Sequence, residues 1–420
     1  MVVANGEPSI GARRLHEPTV ATAATPAPVR KSDRLGAAGV VVLIALSHGT
    51  IDAYSAFLHP LLPRIMEKLG LSIALAATLA TVLSISTSLV QPGFGYLADR
   101  YGRRVFLAAG PIVTGVFLSL IGVAPTFTIL LVFLAIGGLG SAAFHPPGAA
   151  LVARAADGGG SGMRLSVFSF GGAAGFAAGP VAAVAIVAAV GLERLWVAMF
   201  PGILLGVTLW MALRPRGPRA DTRRPPPPRE VLKLLAGPLG LVFGVSAVGA
   251  FVQRTFLTFM PIVAARAGVS EAAGAAILSV YLGAQALGTL TGGYLTDRVN
   301  RQKMMITVSL LAVPAHIAAV ALPPASAPAL AAAVVAGFLN MALLPPVVVM
   351  AQEMVPAGAA ASSGIVMGLA WAVGALIIPI TGALGDVYGP VNAAMWSMPT
   401  LLLVTLFASH PSLRPYSRSR

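Results

Sequence analysis

Residues 95–104 read Gly-Tyr-Leu-Ala-Asp-Arg-Tyr-Gly-Arg-Arg, and residues 293–301 repeat the pattern as Gly-Tyr-Leu-Thr-Asp-Arg-Val-Asn-Arg. In this repeat, Asp297 follows Asp99 by 198 residues. Two further matches fall at nearly the same spacing: Leu344-Pro345-Pro346 follows His145-Pro146-Pro147 by 199 residues, and Pro379 follows Pro180 by 199. Independent matches at one period predict a chain made of two related halves.

The composition excludes an ordinary water-soluble protein. Of 420 residues, 57% are hydrophobic and 10% are charged, whereas soluble domains are about 25% charged. The mean hydropathy of +0.85 agrees with a membrane protein. Because the chain has no cysteine, disulfide frameworks, thiolate catalysis, zinc ribbons and iron–sulfur clusters are excluded as well.

Twelve apolar runs, each long enough to cross a bilayer, predict an all-α integral membrane protein with 12 transmembrane helices in two pseudo-symmetric six-helix bundles. The expected spans are 36–61, 72–97, 104–124, 126–152, 163–190, 194–213, 237–264, 270–296, 303–323, 327–353, 360–386 and 390–410. The predicted domains are a disordered tail at 1–35, bundles at 36–213 and 237–410, a linker at 214–236 and a tail at 411–420.

The positive charges predict the orientation of the chain. Of the 28 lysines and arginines, 23 lie in the tails and the even-numbered loops. By the positive-inside rule, both termini should be cytoplasmic and the protein a multi-pass inner-membrane protein. The same asymmetry explains the net charge of +14, so nucleic-acid binding has no separate support.

A parallel six-plus-six repeat is a transporter architecture with its substrate site where the halves meet. The loop motif and its echo resemble the signature loop of the major facilitator superfamily. More narrowly, residues 47–54 (Ser-His-Gly-Thr-Ile-Asp-Ala-Tyr) and residues 138–146 (Gly-Leu-Gly-Ser-Ala-Ala-Phe-His-Pro) resemble the fosmidomycin-resistance efflux branch. This resemblance implies alternating access by a monomer.

The same resemblance implies a gate at the loop motif. There the Asp99 carboxylate would meet the positive N-terminus of a helix from the opposite half, and Glu353 should pair with Arg301 or Arg298. Solvated charges that only anchor the topology are the alternative. Arg154 occupies the place equivalent to Glu353, and the two could form a latch across the halves. The predicted gating residues are Gly95, Asp99, Arg100, Gly102, Arg103, Arg104, Gly293, Asp297, Arg298, Arg301, Glu353 and Arg154.

Small residues recur every four positions in the fifth span, at Gly171, Gly175 and Gly179, which Pro180 follows. This spacing predicts a helix-packing face. The stretch also partly resembles the glycine-proline motif of proton-coupled drug antiporters, which leaves open a second role in bending and ion sealing.

Ionisable side chains inside a membrane are costly and therefore functional candidates. His48, Asp52 and His59 share one face of the first span, with Tyr54 beside it, and Arg254 lies in the seventh span. Asp52 and Arg254 are expected at similar depth, so an ion pair between them is possible. Asp52, with His48 as partner, could then carry a proton while Arg254 binds an anionic substrate. There are two alternatives. Asp52 and Arg254 could form a permanent ion pair that only holds the halves together, or they could make no contact.

The predicted substrate contacts are Arg254, Tyr54, His59, His145, Gln253, Gln285, Asn340 and Trp371. The function expected is proton-coupled efflux of a small organic anion or drug, with the lipid bilayer, an anionic or amphipathic solute and protons as partners. Proton-coupled uptake of a carboxylate or phosphonate is a rival. Transport of a divalent metal by His48, Asp52 and His59 is another, though Arg254 would repel a cation. A receptor that transports nothing is a third. No cofactor, no resident metal and no enzymatic activity are expected.

Overall fold

The computed structural model describes residues 35–154, 161–214, 228–355 and 359–417. Within these ranges, 12 helices are long and apolar enough to cross a membrane, which confirms the predicted fold class. Spans 1 to 6 are Ala37–Leu69, Ile73–Tyr101, Arg103–Val123, Phe127–Ala153, Met163–Val190 and Leu192–Ala212. Spans 7 to 12 are Pro238–Arg266, Glu271–Thr296, Arg301–Ala321, Ala327–Met354, Ala361–Tyr388 and Pro390–Ala408.

The twelve crossings give the protein two faces. We call the side where span 1 begins and span 12 ends the basic face, because the arginine-rich loops 2–3 and 8–9 lie there. The other side, with loops 1–2, 7–8 and 11–12, is the opposite face. All descriptions below refer to these two faces.

Serine residues begin several spans on the opposite face. The hydroxyl of Ser72 accepts from the backbone N–H of Leu75 at 3.2 Å, and Ser270 does the same for span 8. Ser326 begins span 10 in the same way. These caps satisfy N–H groups that a helix leaves free in its first turn, so the positions of the helix ends follow from local sequence.

Span 1 is longer than its apolar run predicts, and its predicted end at residue 61 is wrong. The helix is interrupted after Ser55 and continues as Leu58–Leu69. It ends at Gly70, which has a φ of +62°. Leu62 and Ile65 are buried in this last section, while Lys68 faces outward. An amphipathic end is invisible to a search for apolar runs, because charged residues interrupt it.

The glycines of span 5 bring it against span 1. A Cβ atom on Gly175 would overlap the carbonyl oxygen of Gly49, and one on Gly171 would lie 2.5 Å from the carbonyl oxygen of Ala45. Gly179 approaches Ala53 equally closely. Spans 1 and 5 therefore pack backbone to backbone, which agrees with the packing role expected for this stripe.

The two halves meet along two seams. Span 5 packs along span 8, and span 2 packs along span 11. The end section of span 1 also packs against span 7. Two irregularities lie in the second half: span 11 contains a π-helical turn at Ile365–Leu369, and the helix of span 10 is interrupted at Leu343.

Parts of the predicted domain division lie outside the described residues: the tail up to residue 34, residues 215–227 of the linker and residues 418–420. The remainder of the linker contains a helix at Pro228–Leu235. The side chain of Arg154 also lies outside the description, so the expected latch with Glu353 stays a prediction.

Candidate functional site

Two histidines and one aspartate form a cluster among spans 1, 4 and 5. One carboxylate oxygen of Asp52, Oδ2, lies 3.3 Å from Nε2 of His48, and the other, Oδ1, lies 3.2 Å from Nε2 of His145. His48 and Asp52 are one helical turn apart in span 1, whereas His145 comes from span 4. The Asp52 and His145 side chains keep 21% and 22% of their surface exposed, so the cluster is open to small ions.

The other nitrogen of each imidazole is already engaged. Nδ1 of His48 donates to the carbonyl oxygen of Phe168 at 2.8 Å, and Nδ1 of His145 donates to that of Ser141 at 2.7 Å. Because a carbonyl oxygen can only accept, both Nδ1 atoms carry the hydrogen. Each Nε2 of a neutral imidazole then points a lone pair at a carboxylate, which is repulsive. The cluster therefore requires added positive charge or added hydrogen-bond donors.

Span 5 forms the wall of the cluster. The ring of Phe168 stacks on His48, with centroids 4.0 Å apart and planes at 18°. A Cβ atom on Gly172 would lie 2.6 Å from Nε2 of His48 and 2.7 Å from Oδ2 of Asp52. Only a glycine leaves room for the two side chains in this position, so the backbone of span 5 holds the imidazole in place from both sides.

One atom from each cluster residue lies within 4.8 Å of the other two, a spacing that one divalent cation could bridge. Arg254 interacts electrostatically with Asp52, however, and a guanidinium raises the energy of a second cation nearby. The observed separations are also those of hydrogen bonds. Protons or donor groups therefore fit the cluster better than a metal does.

The expected ion pair between Asp52 and Arg254 is absent among the described residues. Both oxygens of Asp52 face imidazoles, and the Arg254 guanidinium has no acceptor within hydrogen-bond distance. The two groups interact only through space. Counting residues placed them at similar height in the membrane but could not say towards which neighbour each side chain turns.

Arg254 is a half-buried charge that makes no ion pair or hydrogen bond with any described residue. Its Nε atom is inaccessible to solvent. The ring of Trp371 in span 11 lies 5.6 Å from its Cζ atom, a cation–π contact. His59 is close enough to interact electrostatically with the guanidinium. An unpaired buried guanidinium is costly, and an anionic ligand would remove that cost.

His59 is buried at 2% exposure, with its Nδ1 atom unpartnered. It does not lie near the end of its helix, as a span ending at residue 61 predicts, because the helix continues to Leu69. Its position in the second section of span 1 leaves it near Arg254 rather than near the Asp52 cluster.

The other predicted contacts in the second half line helix interfaces. Asn340 and Trp371 border one pocket together with Ser246 and Gly249, and the Asn340 amide donates to the carbonyl oxygen of Gly249 at 3.1 Å. Gln253 of span 7 donates to Gln285 of span 8 at 2.7 Å. The Oε1 atom of Gln253 is buried without a donor, so this pair has spare capacity for a ligand.

Tyr54 does not belong to this site. Its hydroxyl donates to the carbonyl oxygen of Ala198 at 2.5 Å and accepts from the N–H of Gly202 at 3.0 Å, and it is 3% exposed. The side chain thus fastens span 1 to the start of span 6. A hydroxyl committed to two backbone groups argues against the expected substrate contact.

On the basic face, the first loop motif is held within its own half. Arg103 donates to Asp99 at 2.7 Å from Nε, and Arg104 donates to the carbonyl oxygen of Trp210 in span 6 at 2.8 Å. Arg100 donates to the hydroxyl of Tyr96 at 3.0 Å. Among the described residues, Asp99 makes no contact with a helix N-terminus of the other half, and Arg103 binds one of its carboxylate oxygens.

The second loop motif differs from the first. Arg301 pairs with Glu353 at 2.6 Å, as expected, while Asp297 is exposed and makes no ion pair with any described residue. No neighbouring atom lies within 4 Å of a Cβ placed on Gly293, so this predicted gating residue does not let two helix backbones approach closely. A close approach occurs one residue earlier, where a Cβ on Gly292 would lie 2.6 Å from the carbonyl oxygen of Ala342.

Sequence analysis missed the parts of the cluster that come from backbone atoms. The carbonyl groups of Phe168 and Ser141 carry no signal in the sequence. Gly172 does carry one, since it adjoins the glycine stripe of span 5 but lies off its four-residue spacing. A small residue beside a packing stripe indicates that a neighbouring helix presents a large or polar group there.

Comparison with known proteins adds a family relationship. A model of the Major Facilitator Superfamily matches residues 44–379. The fosmidomycin resistance protein of Escherichia coli (strain K12) is 28% identical over 358 residues, covering 83% of this chain and 86% of that protein. An uncharacterized MFS-type transporter of Bacillus subtilis (strain 168), YfnC, is 28% identical over 395 residues, covering 90% and 94%.

Among solved structures, a bacterial homologue of the human lysosomal transporter Spinster, in an inward-facing and occupied conformation, aligns with a TM-score of 0.75. The alignment covers 88% of this chain and 95% of that one at 19% identity. At this identity the likeness concerns the fold alone.

Proposed function

Since this chain belongs to the Major Facilitator Superfamily, we propose that it is a proton-coupled secondary transporter that exports a small organic anion or drug by alternating access. His48, Asp52 and His145 form its proton site, and Arg254 binds the anionic group of the substrate. We place it in the inner membrane with the basic face cytoplasmic, because the loops on that face hold the excess of lysine and arginine.

The observation that carries the proposal is the convergence of three acceptors. Two imidazoles with Nδ1–H already donated, and one carboxylate between them, attract protons to the Nε2 atoms. Each proton that binds turns a repulsive contact into a charge-assisted hydrogen bond. The cluster can thus change its charge by one or two units without any change in packing.

Exchange requires that a proton and the substrate exclude each other. A substrate that carries a hydrogen-bond donor or a cationic group beside its anionic group meets this requirement. The anionic group would bind Arg254, while the donor would satisfy Asp52 and the two imidazoles as protons do. Proton binding from one side then displaces the substrate. Similarity to the fosmidomycin resistance protein favours export as the direction.

A second candidate is proton-coupled uptake of a purely anionic solute. Protonation of the cluster adds positive charge in the electrostatic range of Arg254 and should raise the affinity for an anion. A solute without a donor group would therefore travel together with protons. The two candidates differ in the sign of the coupling, and the chemistry of the solute decides between them.

The test uses purified protein in liposomes that contain a pH dye. We would compare 2-aminoethylphosphonate with ethylphosphonate, which lacks the amine, and include fosmidomycin as a third solute. Proton movement opposite to the aminated phosphonate supports exchange, and movement in the same direction as ethylphosphonate supports cotransport. Absence of any solute-dependent proton flux, with all three solutes, would contradict proton coupling. Asp52→Asn and Arg254→Ala separate loss of coupling from loss of binding.

A further inference from the structure

A carboxylate at the end of span 11 holds the start of span 2, which belongs to the other half. Oδ1 of Asp386 accepts from the backbone N–H of Ile73 at 2.7 Å, and Oδ2 accepts from that of Ala74 at 3.0 Å. Both N–H groups lie in the first turn of span 2, on the opposite face. The contact is therefore a charge-assisted bridge between the two bundles.

The first turn of span 2 depends on this bridge. A helix leaves its first N–H groups without partners inside the helix. The side chain of Ser72 satisfies that of Leu75, and Asp386 satisfies those of Ile73 and Ala74. The negative charge also lies at the positive end of the helix dipole. The other half thus completes a cap that span 2 begins by itself.

The backbones around the bridge approach closely. A Cβ atom on Gly382 would lie 2.7 Å from the Cα atom of Ala74. Further along the same seam, the hydroxyl of Thr81 donates to the carbonyl oxygen of Ala375 at 2.9 Å. A second link between the halves on this face is the ion pair of Arg64 with Glu271, which joins span 1 to span 8. By contrast, the Asp99–Arg103 and Arg301–Glu353 pairs of the basic face each stay within one half.

The stretch that carries Asp386 repeats the loop motif. Residues 382–389 read Gly-Ala-Leu-Gly-Asp-Val-Tyr-Gly, and residues 95–102 read Gly-Tyr-Leu-Ala-Asp-Arg-Tyr-Gly. The first and last glycines, the leucine, the aspartate and the tyrosine are the same in the two stretches. The last glycine has a positive φ in both copies, +100° at Gly102 and +87° at Gly389, and begins the next helix in each.

We propose that residues 382–389 are a third copy of the loop motif, used on the opposite face, and that Asp386 is a latch that holds the bundles together there. The latch must release whenever the site opens to that face. It does not depend on which solute or ion the protein carries, so the inference stands apart from the proposed function. Among the described residues, the Asp386 copy bridges the halves, whereas the Asp99 copy pairs with Arg103 of its own half.

The absence of natural cysteines allows a direct test on the full-length protein. Spin labels would be placed at Arg194→Cys at the start of span 6 and Ala327→Cys at the start of span 10, both exposed on the opposite face but in different halves. A second pair, Arg214→Cys and Lys303→Cys, reports on the basic face. Distance distributions in lipid nanodiscs then give the populations open to each face.

We expect Asp386→Ala to raise the population with a long distance on the opposite face about five- to tenfold, because a lost helix cap typically costs about 1 kcal/mol. Asp386→Asn keeps one acceptor and should give a smaller shift, and Asp386→Glu a smaller one still. Asn392→Ala is the matched control, since that side chain donates to Tyr388 of its own half at 2.9 Å. It should leave the populations unchanged.

Unchanged distance distributions in Asp386→Ala and Asp386→Asn, with both proteins folded by thermal unfolding, would overturn the latch. An equal shift in Asn392→Ala would overturn it too, since the effect would then belong to the loop rather than to the bridge. If Asp386→Ala does not fold, the comparison of Asp386→Asn with the control decides. A failure of proton coupling in liposomes leaves these distances unaffected and contradicts only the proposed function.

Discussion

The two halves derive from one repeated pattern, yet they present opposite chemistry where they meet. In the first half, Asp52 is surrounded by partners, with an imidazole at each oxygen and backbone carbonyls behind both rings. In the second half, Arg254 makes no ion pair or hydrogen bond with a described residue, and the ring of Trp371 lies beside it. The difference shows that two halves with the same fold can carry different side-chain chemistry. The proposed function uses this difference, with protons exchanged in the first half and an anion bound in the second.

The largest effect is expected when the first half loses the negative charge of Asp52. Asp52→Asn should make substrate affinity independent of pH, a loss of coupling of about 5- to 150-fold, because the imidazoles lose the carboxylate that draws protons to Nε2. The measurement is substrate affinity at pH 5.5 and pH 8. Ser55→Ala lies on the same helix and loses only a bond to the carbonyl oxygen of Ile51, so it should behave as wild type.

Removing the charge of the second half should instead affect binding. Arg254→Ala is expected to weaken an anionic substrate about 30-fold, which corresponds to roughly 2 kcal/mol for a buried charge pair. The effect of pH on the remaining affinity should persist, because the cluster is intact. Arg266→Ala, at the exposed end of the same span, is the control. Equal losses in both variants would show that the charge acts at long range and not as a binding site.

A methyl group can test whether the tight packing of the first half is needed for its chemistry. Gly172→Ala places a Cβ atom against His48 and Asp52 and should lower the free energy of unfolding by about 1–3 kcal/mol. It should also alter the pH dependence of binding. Gly283→Ala, in span 8, meets no atom within 4 Å and serves as the control in the second half. Thermal unfolding measures the stability of both variants. Equal stability would mean that span 5 shifts to accommodate the added methyl group at little cost.

The smallest effects are expected at the two basic-face ion pairs. Arg301 is 4% exposed in its pair with Glu353, whereas Asp99 and Arg103 are 31% and 16% exposed and lie on consecutive helices joined at Gly102. A double-mutant cycle should give about 0.2–1 kcal/mol for the Asp99–Arg103 pair. The Arg301–Glu353 pair should give more, since its guanidinium is buried. Equal coupling energies would mean that burial does not distinguish the two loops.

The length and order of the helices could be predicted from sequence, because each span needs about 20 apolar residues and the loops hold the charges. The same rule failed for Leu58–Leu69, where charged residues follow one side of a helix that is buried on the other. The position of a residue along its helix was also predictable, at about 1.5 Å per residue. Rotation of a helix about its axis was not, since it depends on packing. That is why Asp52 was expected to meet Arg254 and meets His145 instead.

The motif on the opposite face falls outside the period of about 199 residues that relates the halves, so the internal repeat does not predict it. Val187 stands at the position of the first half that corresponds to Asp386. The aspartate therefore has no counterpart in the first half. A search for the motif without regard to period would have found residues 382–389. Its partner, the first turn of span 2, becomes evident only when span 11 is packed beside it.

The glycine contacts between spans 1 and 5 have a mechanical consequence. With the backbones of Gly49 and Gly175 touching, these helices have no room to slide or turn against each other. His48 and Asp52 belong to one of them, and the Phe168 carbonyl that orients His48 belongs to the other. The proposed proton site therefore lies within one rigid pair of helices. Under this proposal, the access of water decides with which compartment a proton exchanges, and the two helices need not deform for the exchange.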